Sequence, residues 1–364
     1  MDADALIHPE IAHAGTLPAW AYREPWFGRL RDTAFRAAWQ FVGDDREVRI
    51  PGAIWPVTLL PDFLDEPIVF TRDMNDELRA LSNVCTHRAM LVAESPGNAR
   101  FLRCRYHGRR YGLNGEFQHM PEFEGVAGFP RPCDHLAPVP FGQWGPWLFA
   151  AIQPEVTFAE TFAPMIDRLA WLPVREFVPD LAGVREYTVR AHWALYVENY
   201  LEGFHIPFVH SGLNEVIAYD SYETETFASG SLQIAETNDP GVAFDIPPGA
   251  PDAGRSIAAY YYWFFPNLMF NFYPWGLSVN VVRPIAPNLT KVTFLPYVWR
   301  ADRRDHGAGS ALDRVEREDE VIVEAVQRGL QSAFYPGGRF SVRREANVHD
   351  LHRRLAAWIA RSSE

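Results

Sequence analysis

The 364 residues suffice for one large or two medium domains, and with 48% apolar and 14% aromatic residues they describe a packed globular protein. Lys plus Arg number 34 against 46 Asp plus Glu, and the resulting net charge of −12 argues against nucleic acid or an anionic membrane as the main partner. Three cysteines make no disulfide framework, no secretory signal is visible, and no apolar run nears the roughly 20 residues that cross a bilayer, so the expectation is a cytoplasmic protein with reduced thiols.

In chain order, residues 1–45 read as an N-terminal extension that packs on the C-terminal domain. Residues 46–152 are dense in short strand-like runs, "REVRI", "PVTLL", "PIVFTR", "LRALSNV", "RFLRCRY" and "WLFAAI", punctuated by Gly, Pro, Asn and Asp. That rhythm predicts a small antiparallel β domain. Residues 153–364 form the second domain. Helical stretches at 198–206 and 311–331 surround a long strand region, "SIAAYYYWFFPNLMFNFYPWGLSVNVVRPIAP" followed by "TKVTFLPYVWR", which predicts adjacent strands of a broad sheet. The fold class is α+β.

Inside the β domain, "NVCTHRAMLVAESPGNARFLRCRYHG" places Cys85 and His87, then Cys104 and His107 after sixteen residues. Two thiolates and two imidazoles suit tetrahedral zinc or a [2Fe–2S] cluster with one cysteine-bound and one histidine-bound iron. Zinc sites usually take their cysteines from one knuckle and their histidines from a helix. Here each segment supplies one of each, so two loops can each offer a sulfur to one metal and a nitrogen to another. That alternation fits the two-iron cluster better.

In the second domain, "VENYLEGFHIPFVHSG" offers Asn199, Glu202, His205 and His210. On a straight helix the two histidines diverge around the axis, but Pro207 between them predicts a bend that brings both imidazoles to one metal. A carboxylate then completes a two-histidine, one-carboxylate iron site. In "LDRVEREDEVIVEAVQRGL", Leu312, Val315, Ile322, Val326 and Leu330 form an apolar stripe with Asp319 in its middle. Glu318 falls at its margin, Glu316 and Glu320 farther round, and Glu324 opposite. An aspartate aimed at a core needs a cation, since an unpaired buried carboxylate is costly.

These motifs together resemble the α subunit of the Rieske non-haem iron oxygenases of the ring-hydroxylating type, over nearly the whole chain. The resemblance implies an all-β Rieske [2Fe–2S] domain followed by a helix-grip catalytic domain with a broad antiparallel sheet. Residue by residue, it implies Cys85, His87, Cys104 and His107 as cluster ligands, and His205, His210 and Asp319 as ligands of Fe(II). Glu202, with Asn199 beside it, fits the acidic bridge between a Rieske histidine and an iron-ligating histidine. In that family the bridge acts between neighbouring subunits, which implies a head-to-tail homotrimer. It also implies O2 as oxidant and electrons from NADH or NADPH through a separate reductase, with or without a ferredoxin; this chain has no dinucleotide signature of its own. The chain departs from the family by carrying Arg105 and Arg109 where Pro and Trp are usual.

Strand alternation sends Tyr260, Tyr262 and Phe264 to one face, and these, with Phe270 and Phe272, are the expected pocket residues. An aromatic cage suits a quaternary ammonium through cation–π attraction, and the chain looks more similar to choline, carnitine and betaine monooxygenases than to naphthalene-type dioxygenases. The expected reaction is hydroxylation or oxidative demethylation of a small organic molecule. An aromatic-ring dihydroxylating dioxygenase is the alternative enzyme, and a Rieske electron carrier the alternative without catalysis.

Overall fold

The protein is described by a computed structural model covering residues 2–215, 217–310 and 312–361. It contains two compact units, residues 36–159 and residues 1–35 with 160–364. Among the described residues no helix is long and apolar enough to cross a membrane.

The 36–159 unit is built from ten strands: β1 (Gln40–Asp44), β2 (Ala53–Leu59), β3 (Glu66–Arg72), β4 (Leu78–Ser82), β5 (Gly97–Asn98), β6 (Leu102–Arg103), β7 (Arg110–Tyr111), β8 (Phe117–His119), β9 (Phe141–Trp144) and β10 (Trp147–Ala150). They form three antiparallel sheets, ordered β1-β10-β9, β4-β3-β2-β5 and β6-β7-β8. The unit begins earlier than the expected limit at 46, because Gln40 and Phe41 pair with Ala150 and Phe149. "REVRI" is not a strand: Asp45–Val48 is a 3-10 turn, capped by the Asp44 carboxylate accepting from the Arg46 amide. Val69, Leu81, Leu102 and Tyr111 pack in one core with Cys85 and Cys104.

Arg109 is a buried cation in this unit, 1% exposed. Its guanidinium donates to Asp134 Oδ1 at 2.7 Å and sits 4.9 Å above Phe117 and 5.4 Å above Phe129. The Asp134 carbonyl also accepts from Thr86 Oγ1 at 2.9 Å, tying this pair to the Cys85 loop. Burial works against the Asp134 carboxylate, yet the Arg109 and Arg131 partners hold it below its ordinary range. Replacing Asp134 with alanine leaves a buried guanidinium without its counter-charge. The expected cost is about 3–5 kcal/mol, read as a lowered midpoint in denaturant unfolding. An unchanged midpoint would show that the aromatic rings alone hold the cation.

The second unit carries β11 (Val178–Pro179), β12 (Arg185–Val189), β13 (Glu223–Phe227), β14 (Gly230–Glu236), β15 (Ile257–Phe264), β16 (Leu268–Tyr273), β17 (Gly276–Ala286) and β18 (Leu289–Val298). Its antiparallel sheet runs β11-β18-β17-β16-β15-β14-β13, with β12 also pairing to β18. The run "LTKVTFLP" in β18 alternates half-buried and buried residues, whereas β15 and β16 are buried on both faces. One face of β15 and β16 is covered by Phe162 of the helix Phe158–Arg168, its ring 4.5 Å from that of Phe264. The other face lines a cavity. Residues 1–35 belong to this unit through bonds such as Leu17 N–H to His352 Nδ1 (2.9 Å) and Tyr22 Oη to Glu198 (2.7 Å).

Two helices close over that cavity. Trp193–Tyr200 starts where His192 Nδ1 accepts from the Ala194 amide. It packs against Leu312–Gly329, joined by Tyr196 to Glu316 and Asn199 to Asp319. The buried side of Leu312–Gly329 differs from the expected stripe. Glu316 and Val323 are its buried residues, whereas Ile322 and Val326 are 40% and 45% exposed.

Candidate metal centres

The two cysteine–histidine loops of the 36–159 unit are built alike. The Cys85 amide donates to Met90 O and the Ala89 amide to Cys85 O; the Cys104 amide donates to Arg109 O and the Gly108 amide to Cys104 O. Each loop turns through a left-handed residue, Ala89 at φ 54° and Gly108 at φ 77°. That conformation costs a residue with a Cβ about 1 kcal/mol, so the first loop holds Ala89 there against its preference. Both thiols are buried at 2% exposure, while His87 is half-buried and His107 exposed, their rings 4.8 Å apart. Tyr111 Oη lies 3.3 Å from Cys85 Sγ and accepts from the Thr86 amide. Burial pushes its phenol up to about 12, so the hydroxyl beside the sulfur stays neutral. Two neighbouring buried sulfurs with two imidazoles at the surface form a donor set that suits a cluster with unlike ends. Arg105 is exposed and paired with Glu94 at 2.7 Å, whereas Arg109 is the buried cation described above.

In the second unit the chain leaves its helix at Leu201, and the side chain of Glu202 redirects it. Glu202 Oε2 accepts from the amides of Phe204 and His205. Gly203 is required there, since a Cβ would meet the Tyr222 ring at 2.9 Å. A single-turn helix, Ile206–Val209, follows, with His205 at its start and His210 at its end. Pro207 opens that turn and does not break it, as a proline in a first helical turn has no ladder bond to lose. The change of direction at 201–205, ahead of the proline, is what brings the imidazoles together.

The ligating atoms of His205, His210 and Asp319 all lie within 4.8 Å of one another. Asp319 Oδ1 is 3.0 Å from His210 Nε2 and 3.5 Å from His205 Nε2. Both outer nitrogens are held by carboxylates, His205 Nδ1 by Glu202 Oε1 at 2.6 Å and His210 Nδ1 by Glu318 Oε2 at 2.7 Å. This fixes each ring with its Nε2 toward the common centre, an arrangement typical of metal-ligating histidines. Asn199 Nδ2 donates to Asp319 Oδ1 at 3.0 Å and lies 3.3 Å from His205 Nε2. Burial opposes a charge on His210, but Asp319 and Glu318 raise it above its ordinary value; a cation at the centre answers the same carboxylates. The residues therefore fit a divalent metal bound on one face.

The cavity beside this cluster is lined by Tyr200, Tyr222, Tyr261, Asn271, Tyr273 and Glu316, among others. The expected pocket residues Tyr260, Tyr262, Phe264, Phe270 and Phe272 are on the opposite face of the sheet, at most 1% exposed, and pack as core. Side chains alternate as expected, but the faces are exchanged: Tyr261 pairs with Asn271, and these odd-numbered positions point into the cavity. Glu318 and Glu316, which the apolar stripe places at its margin and farther round, also face the site, as does Tyr196 of the helix Trp193–Tyr200, for which the sequence carries no signal. Tyr196 Oη donates to Glu316 Oε2 at 2.6 Å. Burial pushes Glu316 up to about 8, against the pull of that hydroxyl.

The family model for the ring hydroxylating alpha subunit, catalytic domain, matches residues 169–361, more than half of the chain. The chain belongs to this family. The model for the Rieske [2Fe-2S] domain matches residues 38–130. This ring-hydroxylating α subunit is thus a Rieske-type non-haem iron oxygenase, an oxidoreductase whose domains are those of a [2Fe–2S] cluster and a mononuclear iron. Choline monooxygenase of Arabidopsis thaliana is 29% identical over 361 residues, covering 94% of this chain and 82% of the relative. The carnitine monooxygenase oxygenase subunit of Escherichia coli is 27% identical over 333 residues, covering 89% and 86%. In fold, the α subunit resembles the quaternary ammonium Rieske monooxygenase CntA, solved with L-carnitine, at a TM-score of 0.75 and 22% identity over 98% of this chain and 99% of that one. Naphthalene 1,2-dioxygenase from Rhodococcus sp. aligns at a TM-score of 0.71 with 18% identity over 95% and 94%.

Proposed function

We propose that this chain is the terminal oxygenase of a multicomponent system that oxidises a small quaternary ammonium compound. The observation that carries the substrate class is the cavity wall, where Tyr200, Tyr222, Tyr261 and Tyr273 stand beside the His205, His210 and Asp319 cluster. Tyrosine faces attract a cation that cannot donate a hydrogen bond, and desolvation strengthens that attraction. The choline and carnitine monooxygenase relatives agree with this reading.

In it, Cys85, His87, Cys104 and His107 hold the cluster, and His205, His210 and Asp319 hold Fe(II). When bound, the cluster supplies single electrons and the iron activates O2. The chain's own residues do the remainder. Glu202 and Glu318 keep the two imidazoles in the tautomer that leaves Nε2 free for the metal. Asn199 steadies Asp319 through its amide. The aromatic wall excludes water and orients the substrate. Glu202 also serves as the electron bridge from a neighbouring subunit's Rieske histidine in a homotrimer, and electrons come from NADH or NADPH through a separate reductase.

The test needs no partner protein. Holoenzyme reduced chemically is mixed with O2 and one of choline, L-carnitine, glycine betaine, naphthalene or benzoate, and products are identified by mass spectrometry. The expected result is oxidation of an ammonium compound with a yield approaching one product per mononuclear iron. Oxidation of the arenes alone would overturn the proposal in favour of ring dihydroxylation.

A further inference from the structure

Glu316 lines the cavity one helical turn before Asp319 and is 3% exposed. Its Oε2 accepts from Tyr196, but its Oε1 is buried and has no hydrogen-bond partner among the described residues. A buried carboxylate oxygen without a partner is costly, and the cavity is where a partner can enter. The charged side chains among the described lining residues, the histidines aside, are Glu202, Glu316 and Asp319, with no arginine or lysine. Three of the four lining side-chain amides use their nitrogen within the wall, and the fourth, Asn280, accepts from Ser278 Oγ through Oδ1. Asn199 Nδ2 binds Asp319, Gln233 Nε2 binds the Tyr200 carbonyl, and Asn271 Nδ2 binds the Ser278 carbonyl. Away from the metal-binding cluster, a ligand carboxylate meets Glu316 and, among the described lining residues, no basic side chain. A ligand cation meets the Glu316 carboxyl within an aromatic wall, and its charge favours the ionised form that burial alone disfavours.

We infer that Glu316 is a specificity-determining residue that receives the ammonium group, and that the substrate is an ammonium compound without a carboxylate, an amino alcohol of the choline kind. This rests on the ammonium reading above and narrows it: a zwitterion of the betaine or carnitine kind is disfavoured by the same wall that attracts the cation.

Equilibrium binding by calorimetry on the holoenzyme tests this with four probes: choline, its neutral carbon isostere, glycine betaine and L-carnitine. Wild-type protein is expected to bind choline at least about tenfold more tightly than the isostere, and more tightly than either zwitterion. In Glu316→Gln the preference for choline over the isostere is expected to shrink by about tenfold, the tyrosine wall keeping the remainder. Betaine or carnitine binding the wild type as tightly as choline would overturn the inference while leaving the ammonium reading intact. A Glu316→Gln protein whose preference for choline over the isostere equals that of the wild type would also overturn it. The wild-type series decides the matter if the variant does not fold. Binding of naphthalene with none of the four probes would overturn the ammonium reading itself.

Discussion

Replacing Asp319 with alanine is expected to remove about one iron per chain and lower turnover more than ~100-fold, while the visible spectrum of the cluster persists. Asp319 is the carboxylate of the three-residue cluster, with Oδ1 at 3.0 and 3.5 Å from the two Nε2 atoms. Without it, two imidazoles remain, still held by Glu202 and Glu318, but hard Fe(II) loses its anionic oxygen ligand. The cluster candidates lie in a separately packed unit with its own core, so the substitution leaves their environment untouched. Iron content by elemental analysis, the visible spectrum and product formation check the three parts separately. Full iron occupancy with full turnover would remove Asp319 from the proposed ligand set.

The cysteine–histidine arrangement was legible in the sequence because both pairs sit in tight loops, where spacing along the chain is nearly spacing in the molecule. The helical part was legible for a different reason. Asp319 was expected on an apolar stripe, yet Ile322 and Val326 of that stripe face outward. Its inward face, with Leu312, Glu316, Asp319 and Val323, carries two acids because it borders the His205 and His210 pair and the cavity beside it, and not a closed hydrocarbon core. Periodicity that counts only apolar residues cannot see such a face. The pocket strands failed through parity. Both faces of β15 and β16 are rich in aromatic rings, and the core side is marked by tertiary packing, Phe162 against Phe264 and Phe270, Phe227 against Tyr262 and Phe264, and Phe244 against Tyr260. Glu318 was illegible for a further reason: its pairing with His210 spans 108 positions and depends on where two helices cross.

Exchanging Glu202 for glutamine is expected to slow electron delivery to the mononuclear site by roughly 100-fold with iron and cluster both retained. The glutamine side chain keeps the length of glutamate and an amide oxygen that can still accept from His205 Nδ1, so the imidazole stays oriented. What disappears is the negative charge and the second acceptor oxygen. In the wild type Oε2 takes the amides of Phe204 and His205, and Oε1 lies 2.6 Å from Nδ1, so the carboxylate is both the fastening of the 201–205 turn and the proposed bridge. Its side chain is 14% exposed, leaving room for an imidazole donor from a neighbouring subunit. Rapid mixing of reduced holoenzyme with O2 and substrate, following reoxidation of the cluster, measures the step directly. A rate equal to wild type would reject the bridge. Loss of the iron together with the rate would assign Glu202 to positioning His205 alone.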